Sequence, residues 1–182
     1  MPFIFSSTQL PDVTKISAES FTDERGSFVE NFKASDFAAH GIENNFVQDN
    51  APVSKKGVLR GLHYQLPPHA QGKLVGVIKG KIFDVAVDIR KSSPTFGKWV
   101  GEELSDENHT MLYIPAGFAH GFMALEDDTR VVYKMNGNEY HQPSERGIRF
   151  DDPAIGIIWP LENPILSEKD KIHPLLRDVE VF

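Results

Sequence analysis

The chain has 182 residues, 40% of them hydrophobic and 25% charged, the balance of an ordinary globular protein with room for one substantial core. A formal net charge of −7 argues against broad electrostatic attachment to nucleic acid or to an anionic membrane, so an anionic ligand has to be met by local cations. With no cysteine, disulfides, a thiol nucleophile and cysteine zinc sites are excluded. The apolar start Pro2-Phe3-Ile4-Phe5 is too short for a secretory leader and gives way at once to Ser6-Ser7-Thr8. No apolar run approaches a membrane span, and a cytoplasmic protein is expected.

Most of the chain consists of short β-forming runs separated by Gly, Pro, Asn or Asp. In order, residues 27–32, 46–49, 57–65, 74–79, 81–89, 98–104, 111–114, 119–125 and 130–135 read as strands. Gly80 marks a tight hairpin between two of the most apolar ones, and residues 105–108 and 126–128 are turn clusters. Helical signal is scarce: one short helix is expected after Ser35-Asp36, ending near Gly41, and another after Ser167 and before Pro174. Many short strands with regular turns imply an all-β sandwich or barrel with a few short helices. Without repeats or linkers the chain reads as a single domain, residues 1–182, with the Pro-containing segment 153–174 wrapped around the outside.

Two segments, residues 60–65 (RGLHYQ) and 115–122 (PAGFAHGF), set a histidine beside glycine within a strand-like run. His63 and His120 there suggest proton transfer or metal binding, the alternative being core histidines with satisfied hydrogen bonds. Alternation puts Leu59, Gly61, His63 and Gln65 on one face and Val58, Arg60, Leu62 and Tyr64 on the other. Arg60 can share a cavity with His63 only if the strand bulges at Gly61; otherwise it serves the mouth or an adjacent subunit. Asp84, among Phe83, Val85 and Val87, needs a partner if it points inward, with His120 or Lys73 as candidates.

The Pro115-x-Gly117-x-x-His120 arrangement resembles the second motif of the cupin superfamily of small jelly-roll barrels. Tyr64 and Gln65 follow His63 where metal-binding cupins carry a second histidine, so no metal and no cofactor are expected. A longer series is more specific: residues 23–32 (DERGSFVENF), 46–50 (FVQDN), 56–65 (KGVLRGLHYQ), 71–75 (QGKLV), 83–105 (FDVAVDIRKSSPTFGKWVGEELS), 114–122 (IPAGFAHGF), Tyr133-Lys134, 144–160 (SERGIRFDDPAIGIIWP) and 166–170 (LSEKD). In this order they closely resemble the dTDP-4-dehydrorhamnose 3,5-epimerase family over nearly the whole chain.

That resemblance implies a cupin-type jelly roll acting without metal on a dTDP-4-keto-6-deoxysugar, in dTDP-L-rhamnose biosynthesis. Epimerisation beside a ketone needs a base, a partner for the enolate and an acid on the opposite ring face. By resemblance His63 is the base, oriented by Asp170; Lys73 faces the enolate oxygen; Tyr133 returns the proton; and His120 contacts the sugar. Ser167-x-x-Asp170 also has the spacing of a helix capping box, and both roles can coexist. Arg25, Arg60 and Lys169 match family positions lining the substrate site. Glu30, Gln48 and Asn50 would read thymine or ribose, Glu145 would also contact substrate, and Tyr140 would stack on the base, although residues 135–139 carry an extra residue before it. The family is homodimeric with exchanged N-terminal strands, so Arg25 or Glu30 could complete the neighbour's site. A C3-only or C5-only epimerase, a metal-dependent cupin oxygenase and a non-catalytic dTDP-sugar binder are the alternative readings.

Overall fold

The alternation of inward and outward side chains is realised as two facing antiparallel sheets in the computed structural model of the protein, which describes residues 2–43 and 45–182. Met1, where the leader reading begins, lies outside those residues. In chain order the strands are β1 (Phe3–Ser7), β2 (Thr14–Ala18), β3 (Ser20–Asp23) and β4 (Gly26–Val29), then helix α1 (Ala34–Ala39). Next come β5 (Phe46–Asn50), β6 (Val53–Ser54), β7 (Leu59–Gln65), β8 (Gly72–Lys79), β9 (Lys81–Asp88), β10 (Trp99–Ser105), β11 (Thr110–Ile114), β12 (Phe118–Ala124) and β13 (Thr129–Asn136). Strand β14 (Glu145–Gly147) and helix α2 (Glu168–Lys171) complete the set. One sheet has seven strands in the order β1-β2-β11-β8-β13-β5, with β6 also on β13; the other has five, in the order β10-β9-β12-β7-β14. Among the described residues strands β3 and β4 pair only with each other.

The expected strands are present with small shifts at their ends, and three readings are corrected. The run 27–32 stops at Val29. Helix α1 begins at Ala34, so Ser35 and Asp36 lie in its first turn, and Lys33 occupies the N-cap without a side-chain cap. Strands β1, β2, β3, β6 and β14 fall outside the expected runs, β6 being only two residues long. The first three are short and alternate only weakly in burial, and β14 is polar at two of its three positions. Gly80 does form the β8–β9 hairpin, at φ +78°.

Inward-facing residues of both sheets form one apolar half of the interior: Val75 and Val131 from one wall, Ile82, Ala86, Phe118 and Phe122 from the other, closed by Leu10 and Val13. Strand β9 is buried on both faces. Its outward Val85 and Val87 are covered by the chain after β14, through Ile148, Ile155 and Leu176, with Trp159 and Phe182 packed alongside. The wrapped tail is therefore a second hydrophobic layer. The same inward rows continue into a polar half, because β8 places Lys73 two residues before Val75 and β9 places Asp84 between Ile82 and Ala86.

The register of β7 against β12 decides what enters that half. His63 pairs with His120 but Arg60 pairs with Phe122, so three steps on β7 span two on β12. The bulge falls at Gly61, which has φ +140° and approaches Gly121 so closely that a Cβ would lie 2.5 Å from the Gly121 Cα. Strict alternation would separate Arg60 from His63; the bulge turns both toward one cavity. Gly61→Ala should cost about 2–3 kcal/mol of unfolding free energy, from strain at positive φ and collision with the Gly121 backbone. Urea unfolding reads this, and a loss below about 0.5 kcal/mol would mean that the bulge has no fixed geometry.

Candidate active site

His63 rises from β7 in one sheet, and Lys73 and Tyr133 rise from β8 and β13 in the other. The three side chains are common to two adjoining lobes of a cavity. One lobe, of about 210 Å³, is also lined by Arg60, His120, Phe122, Ser167, Lys169 and Asp170. The other, of about 240 Å³, adds Gln48 and Asn50 from β5, Tyr140 and Glu145.

Asp170 reaches His63 because the tail is tied to the start of β7. Ile165 forms a bridge with Val58, and its carbonyl accepts from the Leu59 N–H at 3.0 Å. Ser167 then caps α2, its hydroxyl accepting from the Asp170 N–H at 3.1 Å. The Asp170 carboxylate, instead of closing the second half of a capping box, lies 2.6 Å from His63 Nε2. Cap and dyad thus coexist on one residue. Among the described residues His63 Nδ1 has no hydrogen-bond partner, which leaves it as the nitrogen able to take a proton.

His173, on the same turn, sets its Nε2 3.3 Å from the same Asp170 oxygen, and its ring meets His63 edge-on at 5.5 Å between centroids. Burial by itself would raise Asp170, but the contacts with His173 and His63 outweigh it and hold the carboxyl well below the usual carboxylate range. These three residues bring ligand-type atoms within 4.8 Å of one another. The 2.6 Å separation of His63 from Asp170 is that of a direct hydrogen bond, shorter than the roughly 3.3 Å between two ligands of one tetrahedral ion.

A second chain of groups runs into the interior. The fully buried Asp84 accepts from His120 Nε2 at 2.8 Å, as an inward Asp84 required, and Lys73 Nζ stands 3.3 Å from His120 Nδ1. Burial lowers the His120 pKa, with Lys73 adding to the effect and Asp84 opposing it, so the ring is neutral. With Nε2 donating to Asp84, Nδ1 is free to accept from the Lys73 ammonium. Lys73 itself is lowered to about 8 by burial, against the attraction of Asp84 and Glu145. Burial pushes the Tyr133 phenol up, with the Arg60 guanidinium opposing, which keeps it protonated at neutral pH.

At the outer end Tyr140 is half exposed, its N–H donating to Gln48 Oε1 and its hydroxyl to Glu145 Oε2. Glu145 also pairs with Lys169. Burial would raise Glu145, but Lys169 and Tyr140 hold it low. Of the residues singled out from the sequence, His63, Lys73, His120, Tyr133, Asp170, Arg60, Lys169, Gln48, Asn50, Tyr140 and Glu145 meet in this cavity. Arg25 and Glu30 do not: Arg25 sits at the β3–β4 turn, pairing with Asp23 in solvent, and Glu30 follows β4. Sequence reasoning missed Gln65 and Gln71, each two residues from a lining histidine or lysine on an alternating strand, and His173, three residues beyond Asp170.

Two antiparallel sheets closed around an apolar half and a titratable half make a cupin-type barrel whose cavity is equipped for acid–base chemistry. Residues 7–178 match the dTDP-4-dehydrorhamnose 3,5-epimerase family. The dTDP-4-dehydrorhamnose 3,5-epimerase of Shigella flexneri is 58% identical over 176 residues, 96% of this chain and 97% of the relative. The crystal structure of the Sulfolobus tokodaii dTDP-4-dehydrorhamnose 3,5-epimerase is similar at a TM-score of 0.93 and 50% identity, over 100% of this chain and 99% of that one. A Legionella pneumophila 3,5-epimerase in complex with dTDP-4-keto-L-rhamnose gives a TM-score of 0.94 at 47% identity, over 98% and 95%. The chain belongs to the dTDP-4-dehydrorhamnose 3,5-epimerase family.

The Lys73 shift has a sign that can be measured. An unfolded chain holds the lysine proton up to about 10.5 and the folded one only to about 8, so stability should rise between pH 8 and 10.5, where only the unfolded state is protonated. Below pH 8 the cost of the buried cation is fully present. Lys73→Met is expected to raise stability at pH 7 by on the order of 1–3 kcal/mol, less than the whole shift implies because part of the side chain faces the open cavity. It should also abolish that pH dependence. Urea titrations at pH 7 and 10 read both effects, and an unchanged slope would mean that the ammonium is solvated.

Proposed function

We propose that this chain, as one domain, inverts C3 and C5 of dTDP-4-dehydro-6-deoxy-α-D-glucose, giving dTDP-4-dehydro-β-L-rhamnose. The observation that carries this reading is the pair His63–Asp170 and Tyr133, a base held by a carboxylate and a protonated phenol, rising from opposite sheets across one cavity. His63 takes the proton α to the C4 ketone through Nδ1, and Asp170 stabilises the imidazolium. Negative charge moves to the ketone oxygen, where the Lys73 ammonium, steadied by neutral His120 and Asp84, meets it. Tyr133 returns a proton from the other ring face. Each group regains its starting form by exchange with solvent, and the cycle repeats at the second carbon. Arg60 and Lys169 would hold the diphosphate, Gln48, Asn50 and Glu145 the nucleoside, and Tyr140 the thymine face.

In heavy water the product should carry deuterium at both C3 and C5. His63→Ala should abolish incorporation at both carbons, with turnover down by about 10³-fold or more. Tyr133→Phe should leave exchange of the abstracted protons while cutting inversion by about 10²-fold. Deuterium at one carbon alone would make the chain a mono-epimerase, and full turnover by His63→Ala would sink the mechanism.

The protein also acts, in this proposal, as a homodimer through its N-terminal strands. The β3–β4 hairpin pairs only with itself and exposes Phe21 and Phe28, with Arg25 extended at its turn. The outer face of the seven-stranded sheet offers an apolar groove of about 420 Å³ lined by Leu74, Gly76, Ile78 and Met111. A second copy's hairpin seated there would bring Arg25 and Glu30 to the neighbouring site. Phe28→Asp is expected to yield a monomer by light scattering, with weakened nucleotide binding. An unaltered dimer would remove the hairpin from the interface.

A further inference from the structure

We infer that His173 is a positioning residue for proton abstraction, a second imidazole that holds the Asp170 carboxylate in register with His63. This rests on the epimerase reading above. His173 is not among the groups that line the cavity lobes, so any influence on the reaction has to pass through the dyad, by way of Asp170 or of the ring contact with His63.

Its place is built with care for fit. The His173 ring fills the space over Gly147 on β14, where any Cβ would overlap the ring atoms. Pro174, the next residue, is anchored by its carbonyl to the Arg149 N–H at 2.9 Å, which fixes the backbone beside that glycine. The side chain is only 9% exposed and its Nε2 makes no hydrogen bond among the described residues. That nitrogen lies 3.3 Å from Asp170 Oδ1, the same oxygen that faces His63 Nε2 at 2.6 Å. A buried polar nitrogen left without a full hydrogen bond is costly, and its proximity to the one carboxylate oxygen in use by the base compensates that cost. Two imidazoles set edge to face thus flank one carboxylate oxygen, His63 at hydrogen-bond distance and His173 in electrostatic contact.

The other charged groups around this cluster are Glu145 on β14 and Lys169 on α2, which neutralise one another, and Lys73 with His120 and Asp84 beyond His63. Those groups are paired among themselves, so a His173 variant alters the dyad's field through Asp170 and through the ring contact with His63. Replacing the ring by an apolar one leaves the Asp170 charge undivided, which favours imidazolium at His63.

In His173→Phe the acid limb of kcat/KM should therefore move up by about half a pH unit, and kcat should fall about tenfold with KM held within about twofold. His173→Gln, whose amide nitrogen can occupy the place of Nε2, should restore both. Gly147→Ala, which displaces the ring while keeping it, should reproduce the phenylalanine behaviour and serves if His173→Phe folds poorly. The downfield proton resonance of the His63–Asp170 pair, recorded on the free protein, should shift in His173→Phe. This readout needs no turnover, so a protein that fails to epimerise the dTDP-sugar would refute the proposed function without touching this one. An unchanged acid limb, kcat and resonance in His173→Phe would overturn the inference, as would His173→Gln behaving like His173→Phe.

Discussion

The close approach of Gly61 to Gly121 is the constraint on which the site depends. Strand β12 lies between β9 and β7, and its His120 stands opposite Ala86 on one side and His63 on the other. Only side-chain-free residues let β7 buckle against β12 at that point, and the buckle brings Arg60 round to the cavity that His63 lines. A regular ladder would keep His63 and His120 as neighbours but would aim the guanidinium elsewhere. One backbone irregularity thus sets the relation between the histidine paired with Asp170 and a cation suited to an anionic ligand.

The second organising feature is the division of a single interior into apolar and ionisable halves. Lys73 and Asp84 sit on strands whose neighbouring inward residues are valine, isoleucine and alanine, so both charges are drawn into low dielectric by the same alternation that builds the core. His120 joins them through its two nitrogens and lets opposite charges stand near each other without direct contact. The arrangement is costly to the lysine, whose proton affinity drops to about 8. In exchange the ammonium is poorly solvated, and its field is available to an oxygen that gains charge.

Much of this was legible in the residues themselves. Alternation placed His63 on the Gln65 face and forced an inward Asp84 to find a partner, and the structure supplies His120. The tight β8–β9 hairpin followed from Gly80 between two lysines. Alternation left Arg60 open between the cavity, given a bulge at Gly61, and the mouth or an adjacent subunit; a period-two pattern cannot itself reveal the inserted step, which the register shift shows. Strands β1 and β2 escaped because their only consistently buried positions are Phe3 and Ile16, too few to mark a period. The dyad joins residues 107 apart, a contact that no local pattern encodes and that only the family resemblance suggested. His173 lacked even that, since a histidine three residues after an aspartate on a one-turn helix is unremarkable until the packing over Gly147 is seen.

The tail that covers the outer face of β9 also carries Asp170, so one segment sets both the hydrophobic layer and the carboxylate beside His63. Loosening of that layer at Ile155 or Leu176 would therefore draw the carboxylate away from the imidazole before any strand pairing is lost.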